Sequence, residues 1–348
     1  MQAKITTNKT YYYWIDLLKA ISIFGVVYIH TSLDLFNTSS LIPVTNYFRF
    51  CVPVFITISF FLFERRLALG RSRLDTPTRR FLSNRLLRLI IPYTFWTCIY
   101  IIINHKYGYS SIIKFVTNYW IGFGFSGQYY FVVLIILTSA YPYLRKIKLS
   151  YSSLLIIAVL TVISYIPLTY SPILCRVRNC LEIPVLYLFY MFFGIFLARN
   201  YEEVKTALHP INSHLRFLLL AASPLLIVIE EAFLGDGDSS GKKVYFRIST
   251  LLATYVIVTF SISFESLLEE PKVSRRCISF LSEWSLGIFC LNPLLIETIN
   301  KLNLSIFRQQ SNYSLELSLS FLFTILIILA AILASFFIRH LGGKPLVK

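Results

Sequence analysis

The sequence predicts an all-α, polytopic membrane protein of about ten transmembrane helices with both termini in the cytoplasm. Three observations predict it. Of the 348 residues, 56% are hydrophobic and only 14% are charged, against about 25% charged in a typical soluble chain. Mean hydropathy is +0.66. Apolar windows long enough for a helix to cross the hydrocarbon core recur along nearly the whole chain. They lie at 12–33, 47–63, 88–104, 128–144, 150–168, 183–199, 216–234, 245–264, 280–300 and 317–338.

The first window carries Asp16, Lys19 and His30 inside an apolar run. Asp16 and Lys19 interrupt any signal-peptide core, so this span is expected to be retained. The second contains Thr57 and Ser59, small hydroxyl residues suited to close helix packing. The third follows a basic segment, 64–88, that holds eight Arg and no Lys and reads as a cytoplasmic loop. The fourth begins weakly, after Gly122, Gly124, Ser126 and Gly127, so its start reads as a re-entrant or cavity-lining stretch. The fifth to eighth are plain apolar runs, the seventh ending in Glu230 and Glu231. The ninth contains Asn292-Pro293, which frees backbone groups that must be satisfied within the bundle. The tenth closes the chain with Arg339, Lys344 and Lys348 behind it.

Charge orients this array. With the N-terminus inside, 22 of the 33 Lys and Arg fall on the cytoplasmic side and ten outside, with Lys19 within a span. That split satisfies the positive-inside rule. The net charge of +16 sits in short connections between spans, where it contacts anionic membrane lipid rather than nucleic acid. No repeat or separate soluble stretch is evident, so residues 1–348 read as a single membrane-embedded domain. The six Cys are scattered and no spacing suggests a metal site, so no metal is expected. Cys175 and Cys180 flank a short outer loop that a disulfide could close.

Ionisable groups inside a bilayer are costly and mark functional sites by default. At about 100° per residue, Lys19 and His30 return to one face within about 20°, about 16 Å apart along the axis. Asp16 and Asp34 flank His30 on that face by about 40° each. Histidine there suits general acid–base work. The same residues also fit a plainer reading. Lys19 then snorkels, Asp16 caps the helix and His30 bonds a neighbour. Arg85 and Arg88 share a helix face where the third span begins, and Arg forks match phosphate. They would suit a phosphate-rich donor, and they would equally suit anionic lipid.

Taken in order, these segments resemble the integral-membrane acyltransferase 3 family, whose members modify surface polysaccharides. Its first-span pattern is Arg, ten residues, then His, often after an Asp. Here Asp16, Lys19 and His30 stand at those places. Arg85-Leu-Leu-Arg88 before Pro92-Tyr93 is similar to its second hallmark. Segments 53–59, 127–131 and 282–293 look like later family segments. Three positions depart: Lys19 replaces Arg, Phe60 replaces Gly, and Asn292 replaces His. The Lys form occurs in a subgroup that includes polysaccharide-modifying members.

The resemblance implies an acyltransferase in the inner or plasma membrane of a bacterial cell. It would move an acyl group, commonly acetyl, from acetyl-CoA or another acyl-CoA to a hydroxyl of a surface glycan or lipid-linked sugar. His30 would be catalytic, and Lys19, Arg85, Arg88 and Asp16 would bind donor or substrate. A secondary transporter or glycan exporter is the alternative, and a non-catalytic scaffold a third reading. Scarce mid-span carboxylates favour the enzyme.

Overall fold

The structure is a computed structural model that describes residues 11–36, 39–69, 79–103, 122, 125–170, 183–234, 243–265, 273–302 and 312–347. Every regular element among them is helical. Helix α1 spans Tyr13–His30 and runs directly into a π-helical turn, Thr31–Phe36. There follow α2 (Ile42–Tyr47), α3 (Cys51–Leu69), α4 (Arg79–Ile103), α5 (Tyr129–Leu144), α6 (Tyr151–Tyr170), α7 (Leu188–Arg199) and α8 (Tyr201–Leu208). The chain continues through α9 (Ser213–Ala222), α10 (Leu225–Leu234), α11 (Ile248–Ser261), α12 (Val273–Lys301), α13 (Tyr313–His340) and the short α14 (Lys344–Val347).

All ten apolar windows fall on helical segments. Seven are long and apolar enough to cross a membrane, and three are shorter: Tyr129–Leu144, Pro184–Arg199 and Ile248–Phe264. The shorter ones have local causes. A left-handed Gly127, with φ of +87°, precedes α5, and 3₁₀ turns at Pro184–Tyr187 and Lys243–Phe246 precede α7 and α11. Helices α6, α9, α10 and α13 expose Leu155, Leu160, Phe217, Phe233, Leu333 and Phe337. In water such faces drive aggregation; in a bilayer they are the solvent-facing side.

Helix α1 lies at the centre, packed chiefly on α12 and α3, with α13 and α11 also against it. Helix α3 in turn packs on α7. A Cβ added at Gly194 of α7 would lie 2.3 Å from the Thr57 carbonyl oxygen. Only glycine lets the two backbones meet there, the small-residue contact that membrane helices use. Thr57 donates back to Pro53 O at 3.0 Å, so it serves packing, as its size suggests.

Buried ion pairs join the helices. Glu64, buried near the end of α3, accepts from Arg199 Nε of α7 at 2.9 Å and from the Tyr141 hydroxyl of α5. Arg145 approaches it at 3.8 Å. At α10 and α11, the buried Arg247 pairs with Glu231 at 2.7 Å. These contacts correct the reading of 64–88 as a loop. Helix α3 continues to Leu69 and α4 begins at Arg79, because Leu67, Phe81 and Leu82 still pack on the core. Only 70–78 lie outside the described residues. After α13 the chain folds back at Gly342. Trp96 Nε1 of α4 donates to Leu346 O at 3.1 Å, and Val347 is fully buried.

Candidate functional site

Two groups of side chains lie along α1. At its N-terminal end the buried Asp16 accepts from Ser282 Oγ of α12 at 2.5 Å and from the Tyr11 hydroxyl. Asp16 sits in the first turn, but the residue capping the helix is Tyr12, with no side-chain cap. The carboxylate therefore bolts α1 to α12 instead. One turn on, Lys19 is half-buried among charges: Asp16 attracts it, while Arg66 and Arg85 repel it. Arg85 donates to Ser59 Oγ of α3, rests over the Phe63 ring at 5.9 Å, and is repelled by Arg66 and Arg88. Arg88 itself is exposed. Lys19, Arg66 and Arg85 thus lie within one another's field, with Arg88 beside Arg85 and Asp16 beside Lys19. Like charges held close together, two half-buried (Lys19, Arg85) and two exposed (Arg66, Arg88), favour a polyanion, and guanidinium forks match phosphate oxygens.

At the other end His30 closes α1. Its Nδ1 lies 3.3 Å from Asp34 Oδ2. Asp34 is carried by the π turn, and Asn300 Nδ2 of α12 donates to its backbone oxygen at 3.0 Å. Single π turns recur at functional positions. A hydrogen bond from Nδ1–H to the carboxylate assigns the tautomer and leaves the Nε2 lone pair outward. Nε2 faces Gly127: a Cβ added at that glycine would lie 3.7 Å from it.

An aromatic wall joins the two ends. Tyr130 interacts electrostatically with Arg85, and its ring lies 5.6 Å from Phe289 and 6.2 Å from Phe55. Phe289 stands 3.2 Å from the point that a Gly127 Cβ would occupy. Pro293 shapes this wall. It offers no N–H to Phe289 O, so Asn292 Nδ2 donates there at 2.8 Å and to Ile288 O at 3.0 Å. The Tyr100 hydroxyl of α4 donates to Cys290 O at 2.8 Å and accepts from Leu294 N at 2.8 Å. The backbone groups around the proline thus find partners inside the bundle, as burial requires.

The structure brings Asp16, Lys19 and Arg85 together and places Arg88 at their edge. It holds Asp16 away from His30, whose nearby carboxylate is Asp34. Sequence reasoning missed Ser59 as the anchor of Arg85, as well as Arg66, Ser282 and Phe289. The Gly-rich run before α5 was the signal for Gly127, and the clustered Arg were the signal for Arg66. Glu297 pairs with Lys301 at 3.0 Å. Cys175 and Cys180 lie outside the described residues. Among the described residues no group of three or more His, Cys, Asp or Glu is placed to hold a metal ion.

Apolar helices that face outward around a charged interior define a multi-pass membrane protein. A family model described as an acyltransferase domain matches residues 12–340, nearly the whole chain. The chain belongs to this acyltransferase 3 family and is a membrane acyltransferase. No curated protein and no solved structure matches it.

Proposed function

We propose that the protein transfers an acyl group, acetyl in the simplest case, from cytoplasmic acyl-CoA to a hydroxyl of a surface glycan or lipid-linked sugar. The membrane is the plasma or inner membrane of a bacterial cell, crossed about ten times, with both termini inside. The observation that carries this reading is α1 itself. One helix holds Lys19 in the field of Arg66 and Arg85 and, at its far end, His30 with Nδ1 on Asp34. The excess of Lys and Arg on the Lys19 side supports a cytoplasmic location for the cations.

The CoA phosphates dock at Lys19, Arg66 and Arg85, with Arg88 at the mouth. Asp16 orders the site by fixing α1 against α12. The thioester reaches along the Tyr130 wall toward His30. There Nε2 takes the proton of the acceptor hydroxyl as its oxygen attacks the carbonyl carbon and the new C–O bond forms. The tetrahedral intermediate collapses with cleavage of the C–S bond. The departing thiolate takes the proton back from Nε2, leaving the ester and free CoA thiol. Asp34 holds the imidazole in the required tautomer and orientation.

A transporter would use a titratable carboxylate in a cavity. The buried Asp16, Glu64 and Glu316 are each hydrogen-bonded, to Ser282, Arg199 and Ser40, which favours the enzyme. The test is purified protein with radiolabelled acetyl-CoA and envelope glycan. Label should move to the glycan with wild type and not with His30→Ala, while CoA binding is retained. Full transfer by His30→Ala would sink the assignment.

A further inference from the structure

Two hydrogen bonds join α12 to α1 and its π turn, and they share one offset. Ser282 Oγ donates to Asp16 at 2.5 Å, and Asn300 Nδ2 donates to the backbone oxygen of Asp34 at 3.0 Å. Each pair is 266 positions apart in the chain. The two segments therefore run parallel and in register from one bond to the other. The Pro293 kink lies between the bonds, and it is held in place. Asn292 Nδ2 donates to Phe289 O at 2.8 Å, and the Tyr100 hydroxyl donates to Cys290 O at 2.8 Å.

The second bond falls where the proposed base needs support. Asp34 Oδ2 stands 3.3 Å from His30 Nδ1, and its side chain is 44% exposed. A long contact between side chains within reach of water holds little by itself. Asp34 also lies near the end of the π turn, Thr31–Phe36, where carbonyl oxygens lose their intrahelical donors. Asn300 supplies a donor to that oxygen. Its side chain is half-buried, on a helix already fastened to α1 at Ser282. Moving Asp34 away from His30 therefore means breaking a bond to α12.

We infer that Asn300 is a positioning residue for acyl transfer. By fixing the main chain of Asp34 it keeps that carboxylate on Nδ1 of His30, and so keeps Nε2 turned toward Gly127. It acts only through Asp34. Helix α12 then serves both ends of α1, through Ser282 at the cations and through Asn300 at the base. This role rests on the acyl-CoA reading, with His30 as the base.

The test uses the full chain purified in lipid nanodiscs, with radiolabelled acetyl-CoA and envelope glycan. Wild type, Asn300→Leu, Asp34→Asn and the double variant are compared. Leucine nearly matches asparagine in size and shape and cannot donate. Donor affinity and transfer at saturating donor are read on one preparation, with the rate expressed per donor-binding molecule, so misfolded protein does not count. Asn300→Leu should lower the rate by about three- to tenfold, the range of one hydrogen bond, and leave donor affinity unchanged. Both residues act through one contact, so the double variant should be no slower than the slower single variant. A merely structural role would weaken donor binding too, and its effect would multiply with that of Asp34→Asn. Unaltered transfer by Asn300→Leu, a parallel fall in donor affinity, or multiplied effects in the double variant overturns the inference and leaves the acyl-CoA reading standing. A wild type that neither binds nor consumes acetyl-CoA overturns both.

Discussion

The two ends of α1 are built differently. Around Asp16 and Lys19 the side chains are tied to other helices: Asp16 to Ser282 of α12, and Arg85 of α4 to Ser59 of α3. Around His30 there is one 3.3 Å contact to a carboxylate four residues on, a π turn and a glycine opposite. The first arrangement fixes charge in place, as binding a polyanion demands. The second fixes one ring nitrogen and turns the other toward Gly127, the arrangement that the proposed general base requires. A helix used only for packing would have no need of this asymmetry, and a lipid-facing Lys or a core His would each be tied off in the same manner.

Substitutions at the two ends should therefore fail in different ways. The largest effect is expected from His30→Ala. Transfer falls by about 10²–10⁴-fold, the usual contribution of a positioned general base, with acyl-CoA affinity unchanged; rates and binding measured on one preparation check this. Next comes Arg85→Ala. Loss of a charge-assisted contact of about 1.5–3 kcal/mol weakens acyl-CoA binding by about 10–100-fold, with little change in rate at saturating donor. Direct binding of CoA reads it. Asp34→Asn should lower the rate by about tenfold, equivalent to about 1.4 kcal/mol at the transition state, and leave donor affinity alone. A fall in affinity there would erase the distinction between the ends. Ser59→Ala is the smallest. It frees Arg85 from its anchor and costs a few-fold in donor affinity, on the order of one neutral hydrogen bond, with no effect on the chemical step.

Much of this was legible in the sequence, and the part that was not has a common cause. The stripe of Asp16, Lys19 and His30 follows from helical periodicity, and the ten apolar windows follow from hydropathy, because both are properties of neighbouring residues. What fixes the stripe comes from afar. Ser282 reaches Asp16 across 266 positions of sequence, and Ser59 reaches Arg85 across 26. No local pattern encodes either pairing. The π turn at Thr31–Phe36 was invisible for another reason, since one widened turn leaves no mark on an apolar run. The basic segment looked like a loop because eight Arg overwhelm its few apolar residues, yet Leu67, Phe81 and Leu82 suffice to hold the helix ends against the core. Asn292 stood out as a departure from the family's pattern. In the structure it answers the vacancy that Pro293 creates in the backbone, a role that depends on the neighbouring carbonyls rather than on titration.

The most direct test of the division along α1 is a paired measurement on inverted membrane vesicles given radiolabelled acetyl-CoA. For each of wild type, His30→Ala and Arg85→Ala, the donor bound at equilibrium and the label passed to envelope glycan are read together. The account predicts that His30→Ala binds donor like wild type and passes no label. It predicts that Arg85→Ala binds poorly and regains transfer as donor is raised. Equal transfer by His30→Ala and wild type, or the same loss of binding in both variants, would contradict it.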